Sequence, residues 1–327
     1  MHYHLNVLIA TYRRPHLLRD ALRSIAVARE SGDVQVVVAD NADDAATRRV
    51  CREALGLDVR HLPVSRPGKN AALNRALQVA DGDLLLFTDD DVVVESGWLE
   101  SMRRAAEAWP GHDIFGGRIL PAWPQARPRE LMGSRYLGVC FSALDPSLPE
   151  APSDGFVPFG PNMGVRRRVF AGGHRYNEAI GPKRSSYVMG SETEFVRRVT
   201  ALGAPAVFVP SSTVHHRIGA RELRRRALLR RGIRYGRQIA YQDQVNATFG
   251  TPALPAFRAH YLREAAGHAA SAVGRMIRRE GGPAFERAMD AAVAVGAFRQ
   301  WLTQPAPPHP PEPVTRDHPA LHRSWNP

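Results

Sequence analysis

The chain has 327 residues, 44% of them hydrophobic, and a formal net charge of +12. This length predicts a folded soluble protein with one large α/β domain and an appendage, and the lack of any apolar run of about 20 residues excludes a membrane-spanning helix. The N-terminal residues lack the apolar segment of a secretory signal, so we expect a cytoplasmic protein. The two cysteines, Cys51 and Cys140, lie far apart without neighbouring metal ligands, so we expect neither a disulfide nor a zinc site.

The positive charge is concentrated in one segment. Residues 217–237 carry nine arginines and a single acid, Glu222. This excess favours an anionic partner such as a phosphorylated small molecule, a phospholipid surface or nucleic acid. The arginines closest together are Arg224, Arg225, Arg226, Arg230 and Arg231. They fit three roles that the sequence leaves open: a solvated helix face, a clamp on a diphosphate, or a docking surface for anionic lipid.

Apolar strands alternate with amphipathic helices in the first third of the chain. The predicted strands are residues 4–10, 34–39, 59–64 and 83–88, and the predicted helices are residues 14–28, 43–55, 70–80 and 97–108. The alternation predicts a mostly parallel, Rossmann-like sheet that helices cover on both faces.

The pattern is less regular after residue 110. The next expected elements are a strand at 113–120, a proline-rich and aromatic excursion at 121–158 that covers the sheet edge, a helix at 191–202 and a strand at 206–209. From residue 220 onward the sequence predicts helices, at 221–237, 257–279 and 283–302. The helix at 257–279 has an apolar stripe of Tyr261, Leu262, Ala265, Ala269, Val273, Met276 and Ile277. Residues 303–327 are dense in proline and are expected to form a flexible tail.

Acidic side chains follow two of the predicted strands. Asp40 ends the strand at 34–39, and Asp89, Asp90 and Asp91 follow the strand at 83–88. Ligands of open α/β sheets bind at the carboxyl ends of the strands, and adjacent carboxylates repel each other unless a cation lies among them. Mg²⁺ or Mn²⁺ would suit such oxygen ligands, whereas an acidic loop or a helix cap is the alternative explanation of the triplet.

Seven motifs, in this order and spacing, resemble the glycosyltransferase family 2 enzymes of GT-A fold. They are VLIATYRRPHLLRDALRSI, VVVADNADD, RPGKNAALNRAL, LLLFTDDDVVVESGWLE, FGPNMGVRRRVFAGG, GSETEFVRRVTALG and VPSSTVHHRI. The resemblance covers about residues 6–236. It implies a GT-A domain at residues 1–218, with a nucleotide-sugar half to about residue 110 and an acceptor half after it. A helical region would follow at 219–302.

The resemblance assigns donor and metal roles by position. Asp40 corresponds to the acid that accepts the N3–H of a uracil-type ring, although it could instead cap a helix. Asp89 and Asp91 form the Asp-x-Asp pair that in such enzymes holds a divalent metal, with Asp91 as the expected direct ligand and Asp89 or Asp90 closer to the ribose or to a metal-bound water. Thr11 is expected to pack near the base of the nucleotide. Arg66 and Lys69 would either meet the diphosphate or remain solvated charges.

The remaining site residues lie in the second half of the domain. Glu192 corresponds to the catalytic base, although it could instead complement the dipole of its helix, with Glu194 then serving as the base. His216 corresponds to the residue that completes the metal site or lies beside the diphosphate, the alternative being a structural histidine. Asn162 and Trp123 are expected to contact the acceptor.

The sequence thus predicts an inverting glycosyltransferase that uses Mn²⁺ or Mg²⁺ and a UDP- or dTDP-sugar. The acceptor would be a glycan, a lipid-linked molecule or a small molecule; no nucleic acid is expected, and an oligomer or a peripheral contact with the inner face of an anionic membrane is left open. One rival is a nucleotidyltransferase that makes sugar nucleotides, but TYRRPH stands where its glycine-rich loop would follow the first strand. Another is a non-catalytic basic protein that binds nucleic acid or membrane. A dinucleotide dehydrogenase is disfavoured, since no G-x-G-x-x-G motif follows a predicted strand.

Overall fold

The computed structural model describes residues 3–29, 34–54, 56–124, 131, 135–143, 148–152, 158–183, 187–247 and 254–303. The strands within them are β1 (Leu5–Thr11), β2 (Val34–Asp40), β3 (Asp58–Pro63), β4 (Leu84–Asp89), β5 (Val92–Val94), β6 (Ile114–Ala122), β7 (Ala151–Pro152), β8 (Met163–Arg166) and β9 (Ala206–Arg217). The helices are α1 (Pro15–Ala28), α2 (Ala45–Arg52), α3 (Lys69–Leu77), α4 (Trp98–Ala108), α5 (Leu137–Phe141), α6 (Arg167–Ala171), α7 (Ser191–Ala201), α8 (Arg225–Ala247), α9 (Leu254–Ile277) and α10 (Gly281–Leu302).

All the described strands belong to one mixed sheet. Its order is β3-β2-β1-β4-β8-β6-β9-β5, with β7 paired to β9. The first four strands in this order are parallel, β8 runs antiparallel to its neighbours β4 and β6, and β6 is parallel to β9. The predicted mostly parallel α/β sheet is therefore confirmed.

Helices cover both faces of the sheet. Successive residues of each central strand point to opposite sides, so each strand contributes side chains to both layers of the core. On one face, Val7 and Ile9 of β1 pack with side chains of α1, α2 and α4. On the other face, Leu8 of β1 packs with α3, α6 and α7. Buried apolar side chains on both faces of one strand explain why β1, β2 and β4 are nearly continuous apolar runs in the sequence.

The C-terminal helices form a separate layer, in which α10 packs against both α8 and α9. Glycine permits the close approach of α8 and α10: a Cβ atom at Gly236 would overlap the carbonyl oxygen of Val293, and one at Gly296 would overlap that of Ile233. Among the described residues, no helix is long and apolar enough to cross a membrane.

Several predicted bounds were wrong. The strand predicted at 206–209 continues to Arg217, because a bulge in β9 accommodates Pro210, Ser211 and Ser212 before pairing resumes: Gly117 pairs with Val209, and Arg118 pairs with Thr213. The predicted strand ended before Pro210, but a proline, which lacks the N–H for a ladder hydrogen bond, is tolerated at a bulge. The helix predicted at 221–237 is displaced to Arg225–Ala247, and β5 and α5 were not predicted.

Candidate active site

The carboxyl edge of the sheet brings together the acids that the sequence singled out. Thr11, Asp40 and Asp89 end neighbouring parallel strands, with Thr11 paired to Asp40 and Ala10 paired to Asp89. Glu192 reaches the same edge from the first turn of α7, which follows Gly190 in the left-handed conformation. Residues distant in sequence therefore meet where ligands of α/β sheets bind.

Lys69 links two of these acids. Its Nζ lies 2.7 Å from Asp89 Oδ1 and 2.8 Å from Glu192 Oε1. Burial alone would lower the pKa of Lys69, but the two carboxylates raise it well above its ordinary value. Lys69 is therefore protonated and bridges Asp89 to Glu192 as a cation.

Glu192 is held in one orientation by its neighbours. Ser191 Oγ donates to Glu192 Oε2 at 2.8 Å while Lys69 occupies Oε1. The other side is closed by Gly160, where a Cβ atom would overlap Glu192 Oε1. Burial would raise the pKa of Glu192, but the charge and hydrogen bond of Lys69 lower it below the ordinary value. At neutral pH the carboxylate is therefore ionised, which is the form that can accept a proton.

Asp90 and Asp91 share a second cation, Arg14. Its Nη1 lies 3.2 Å from Asp90 Oδ1 and 3.0 Å from Asp91 Oδ2, and Thr11 Oγ1 donates to Asp90 Oδ2 at 2.7 Å. Burial and the neighbouring charge of Asp91 raise the pKa of Asp90 to about 6, while Arg14 and Thr11 oppose that rise. Asp90 thus has its hydrogen-bonding partners inside the protein.

The imidazole of His216 lies between two hydrogen-bond acceptors, the carbonyl oxygen of Phe141 and the carboxylate of Asp91. His216 Nδ1 lies 3.0 Å from the carbonyl oxygen of Phe141, which can only accept, so Nδ1 carries the proton. Its other ring nitrogen, Nε2, lies 3.7 Å from Asp91 Oδ1. That oxygen is buried without a hydrogen-bond partner among the described residues. Burial and Asp89 raise the pKa of Asp91.

These atoms fit a divalent cation that substrate phosphates would help to hold. Within the described residues no group of three or more His, Cys, Asp or Glu side chains is arranged to hold a metal ion by itself. Mg²⁺-type ions that bind nucleotides usually take only one or two protein carboxylates and complete their shell with phosphates and water. A buried carboxylate oxygen without a partner, opposite an imidazole fixed in its tautomer by a backbone carbonyl, matches that requirement.

Asp40 lies behind this cluster. It is fully buried, and its oxygens accept from the backbone N–H groups of Ala42 and Asp44 at 2.9 Å and lie 3.2 Å from His61 Nε2. This geometry holds the turn between β2 and α2, whereas the N-cap of α2 is Asp44, whose side chain accepts from the backbone N–H of Ala46. The predicted contact of Asp40 with a pyrimidine base stays a prediction.

The two basic residues expected at the diphosphate have different surroundings. Arg66 is exposed and pairs with Glu178 at 2.7 Å. Lys69 is occupied by Asp89 and Glu192, as described above. The contact of either residue with a diphosphate stays a prediction.

The expected acceptor contact of Asn162 needs correction. Asn162 is completely buried, and its amide donates to the carbonyl oxygens of Arg118 and Ser212 while its oxygen accepts from Trp98 Nε1 at 2.8 Å. Its hydrogen-bonding capacity is used inside the protein, so it ties β6, β9 and α4 together and does not face a substrate. Trp123 is partly buried against Phe141, with ring centroids 5.1 Å apart, and its contact with an acceptor stays a prediction.

The sequence reasoning missed Arg14 and Ser191. Arg14 stands between the end of β1 and Pro15, the first residue of α1, and that position at the sheet edge was the available signal. Ser191 stands where an acid is common in the resembling motif, and a hydroxyl directly before the expected base could have suggested a positioning hydrogen bond.

Comparisons with known proteins identify the family and the fold of the chain. The model of the family described as Glycosyl transferase family 2 matches residues 6–170. The succinoglycan biosynthesis protein ExoM of Rhizobium meliloti is 29% identical over 131 residues, which are 37% of this chain and 42% of ExoM. A GalNAc(5)-diNAcBac-PP-undecaprenol beta-1,3-glucosyltransferase of Campylobacter jejuni is 25% identical over 164 residues, which are 45% of this chain and 53% of that protein. The chain thus spans about half the length of these curated relatives.

Solved structures show the same fold at low sequence identity. The mannosyltransferase PcManGT from Pyrobaculum calidifontis, in complex with GDP-Man and Mn²⁺, is 18% identical, with a TM-score of 0.61 over 92% of this chain and 87% of that one. S. aureus TarS 1-349 is 14% identical, with a TM-score of 0.50 over 71% of this chain and 65% of that one. At these identities the likeness concerns the fold alone, and it confirms the predicted GT-A class with its C-terminal helices.

Proposed function

Because the chain belongs to glycosyltransferase family 2, we propose that it transfers a sugar from a nucleotide diphosphate donor to an acceptor hydroxyl with inversion at the anomeric carbon. The predicted family is confirmed, and the reaction below is our proposal. The observation that carries it is the chain of contacts at the sheet edge, where Lys69 joins Asp89 to Glu192 and where Asp91 Oδ1 has no hydrogen-bond partner among the described residues.

Glu192 acts as the general base in this proposal. A sugar hydroxyl is a poor nucleophile at neutral pH, and general-base help contributes roughly 10²- to 10⁴-fold. The hydroxyl proton passes to Glu192 while the acceptor oxygen forms a bond to C1 of the donor sugar. The bond between C1 and the diphosphate oxygen breaks on the opposite face, and its electron pair leaves with the nucleoside diphosphate. One displacement inverts the configuration.

The negative charge of the leaving diphosphate requires compensation. Asp91, with His216 and Asp89 beside it, would hold the divalent cation. When bound, that cation neutralises charge on the diphosphate. Arg14 keeps Asp90 and Asp91 in place, and Lys69 keeps Glu192 ionised and directed into the site.

The nucleotide is proposed to bind above the ends of β1 and β2. UDP- or dTDP-sugars are the first candidates, because an acid at Asp40 would recognise the N3–H of a uracil or thymine ring. The solved mannosyltransferase is described with GDP-Man and Mn²⁺, so GDP-sugars belong in the same screen. The Campylobacter relative is named for a lipid-linked pyrophosphate acceptor, and we propose a glycan or lipid-linked acceptor here.

The test is a donor screen with the products identified. UDP-, dTDP- and GDP-sugars are incubated with the full chain and Mn²⁺ or Mg²⁺, and release of nucleoside diphosphate and of pyrophosphate is measured. We expect one donor class to give a cation-dependent release of nucleoside diphosphate. A thermal-shift series with the same ligands identifies the donor independently of turnover, since a ligand that binds only the native state raises the melting temperature. Release of pyrophosphate would instead indicate a nucleotidyltransferase, and the absence of any donor-dependent product or shift would contradict the proposal.

A further inference from the structure

The helix α9 presents its larger apolar side chains to solvent. The exposed fractions are 56% for Leu262, 55% for Val273, 64% for Met276 and 78% for Ile277. Positions 11, 14 and 15 residues after Leu262 lie about 3, 4 and 4 helical turns further on, so the four side chains share one face. The exposed alanines Ala259, Ala266 and Ala269 continue the same face. The stripe predicted from the sequence thus exists, but much of it points away from the protein.

The adjoining side of α9, about a quarter turn from the exposed face, is the one that packs. Ala265 and Ala272 are buried there, Tyr261 donates a hydrogen bond to Asp243, and His268 Nδ1 lies 3.8 Å from Asp290. The helix is thus attached to the domain through small and polar side chains. Since monomeric proteins rarely expose a continuous apolar face of this kind, the face is suited to an external partner.

The charges beside this face are mainly basic. Arg263 follows Leu262, and Arg278 and Arg279 follow Ile277. The nearby acids already have partners, since Glu264 pairs with His268, and Glu280 pairs with Arg275 and Arg278. Arg263 and Arg279 pair with no acid among the described residues, and both are exposed. An apolar helix face bordered by arginines is the pattern of a helix that lies in the plane of an anionic lipid surface.

We propose that the exposed face of α9 docks the protein on an anionic membrane surface, with Leu262, Val273, Met276 and Ile277 inserted among the lipids. The charges favour this partner over a second copy of the chain, because another copy would bring the same arginines and the same net charge of +12. The proposed contact is peripheral, with α9 lying in the plane of the lipid surface. The inference does not depend on the proposed sugar transfer.

The experiment is flotation of the full chain with vesicles. One set contains phosphatidylcholine alone, and the other contains an equal mixture of phosphatidylcholine and phosphatidylglycerol. We expect binding to the mixed vesicles that weakens as salt is raised, and little binding to phosphatidylcholine alone.

The test variant carries Leu262→Gln, Val273→Gln and Ile277→Gln, and its binding should fall roughly ten- to a hundred-fold. The matched control carries Val27→Gln, Leu148→Gln and Leu202→Gln, which remove three exposed apolar side chains elsewhere and should leave binding unchanged. Arg263→Gln with Arg279→Gln should weaken binding about five-fold per arginine. Circular dichroism checks that each variant is folded, which the exposure of these positions favours.

Three results would overturn the proposal. The α9 variant could float as well as the unmodified chain, or the unmodified chain could fail to bind anionic vesicles. Sedimentation could also show a dimer that the α9 variant converts to monomer, which would make a second copy the occupant.

Discussion

The carboxyl edge of the sheet and the C-terminal helical layer differ in whether their charged side chains have partners of opposite charge. At the edge, Asp89 and Glu192 share Lys69, while Asp90 and Asp91 share Arg14. In the helical layer, Arg263 and Arg279 have no acidic partner among the described residues. The edge is therefore ordered internally for chemistry, whereas the helical layer leaves basic and apolar surface for something outside the chain. Substitutions at the edge should therefore alter the reaction, and those between the helices should alter stability.

The largest effect is expected at Glu192. Glu192→Gln keeps the size of the side chain but removes the proton acceptor, and should lower kcat by roughly 10²- to 10⁴-fold while donor binding persists. Glu194→Gln, two residues further along α7, is the matched control, because Glu194 pairs with Arg198 and should be dispensable for the reaction. Steady-state sugar transfer and donor titration by calorimetry measure the two quantities. Equal losses of kcat in both variants would argue against Glu192 as the general base.

A smaller loss is expected at Asp91. Asp91→Asn should reduce transfer by about 10²- to 10³-fold, since it weakens compensation of the charge on the leaving group. Because burial and Asp89 raise the pKa of Asp91, its ionised form is unfavourable, and the melting temperature should stay equal or rise. Chelation should abolish transfer by the unmodified chain, and added Mn²⁺ should restore it. Asp58→Asn, at an exposed acid of β3, is the control. A full response of Asp91→Asn to Mn²⁺ would argue against this ligand.

Substitution of Lys69 should affect both the rate of the reaction and the stability of the fold. Lys69→Met leaves two partly buried carboxylates without their shared cation, which we expect to lower the free energy of unfolding by about 3 kcal/mol. The pKa of Glu192 lies below its ordinary value of 4.5, so its stabilising contribution is present above that value and is lost as pH falls through the folded-state pKa.

Without Lys69 the pKa of Glu192 should rise, so the acidic limb of the rate profile should move to higher pH. Lys69→Arg keeps the charge and should keep the profile close to that of the unmodified chain. A profile unchanged in Lys69→Met would mean that Lys69 does not set the ionisation of Glu192.

The smallest effects are expected in the helical layer. A Cβ atom at Gly236 would overlap the carbonyl oxygen of Val293, so Gly236→Ala should lower the free energy of unfolding by about 1–3 kcal/mol. The same substitution at Gly267 of α9 meets nothing within 4 Å and should raise it by about 0.5–1 kcal/mol. Chemical denaturation measures both, and kcat should be unchanged in each variant. Similar effects at the two glycines would show that α8 and α10 do not pack as closely as described.

The elements of the first 110 residues could be predicted from the sequence because their signals are local. Apolar strands and amphipathic helices alternate there, and residues that end parallel strands lie at the same edge because all the carboxyl ends point one way. The partners of Lys69 could not be predicted, because Asp89 and Glu192 lie 20 and 123 residues away in sequence. The apolar period of α9 identified a helix, yet period alone does not tell which face meets the protein. The burial of Asn162 could not be predicted either, because its hydrogen bonds with Trp98, Arg118 and Ser212 join residues distant in the chain.

The bulge in β9 has a consequence for His216. Three extra residues separate the two paired stretches of this strand, and an odd number exchanges the inward and outward sides of every residue beyond it. Val207 and Val214 consequently belong to the same core, and His216 is buried while His215 is more exposed. A deletion of one serine that kept a three-residue bulge would pair Arg118 with Val214, and would so turn His215 inward and His216 toward water. The length of one bulge thus selects which of two neighbouring histidines lies beside Asp91.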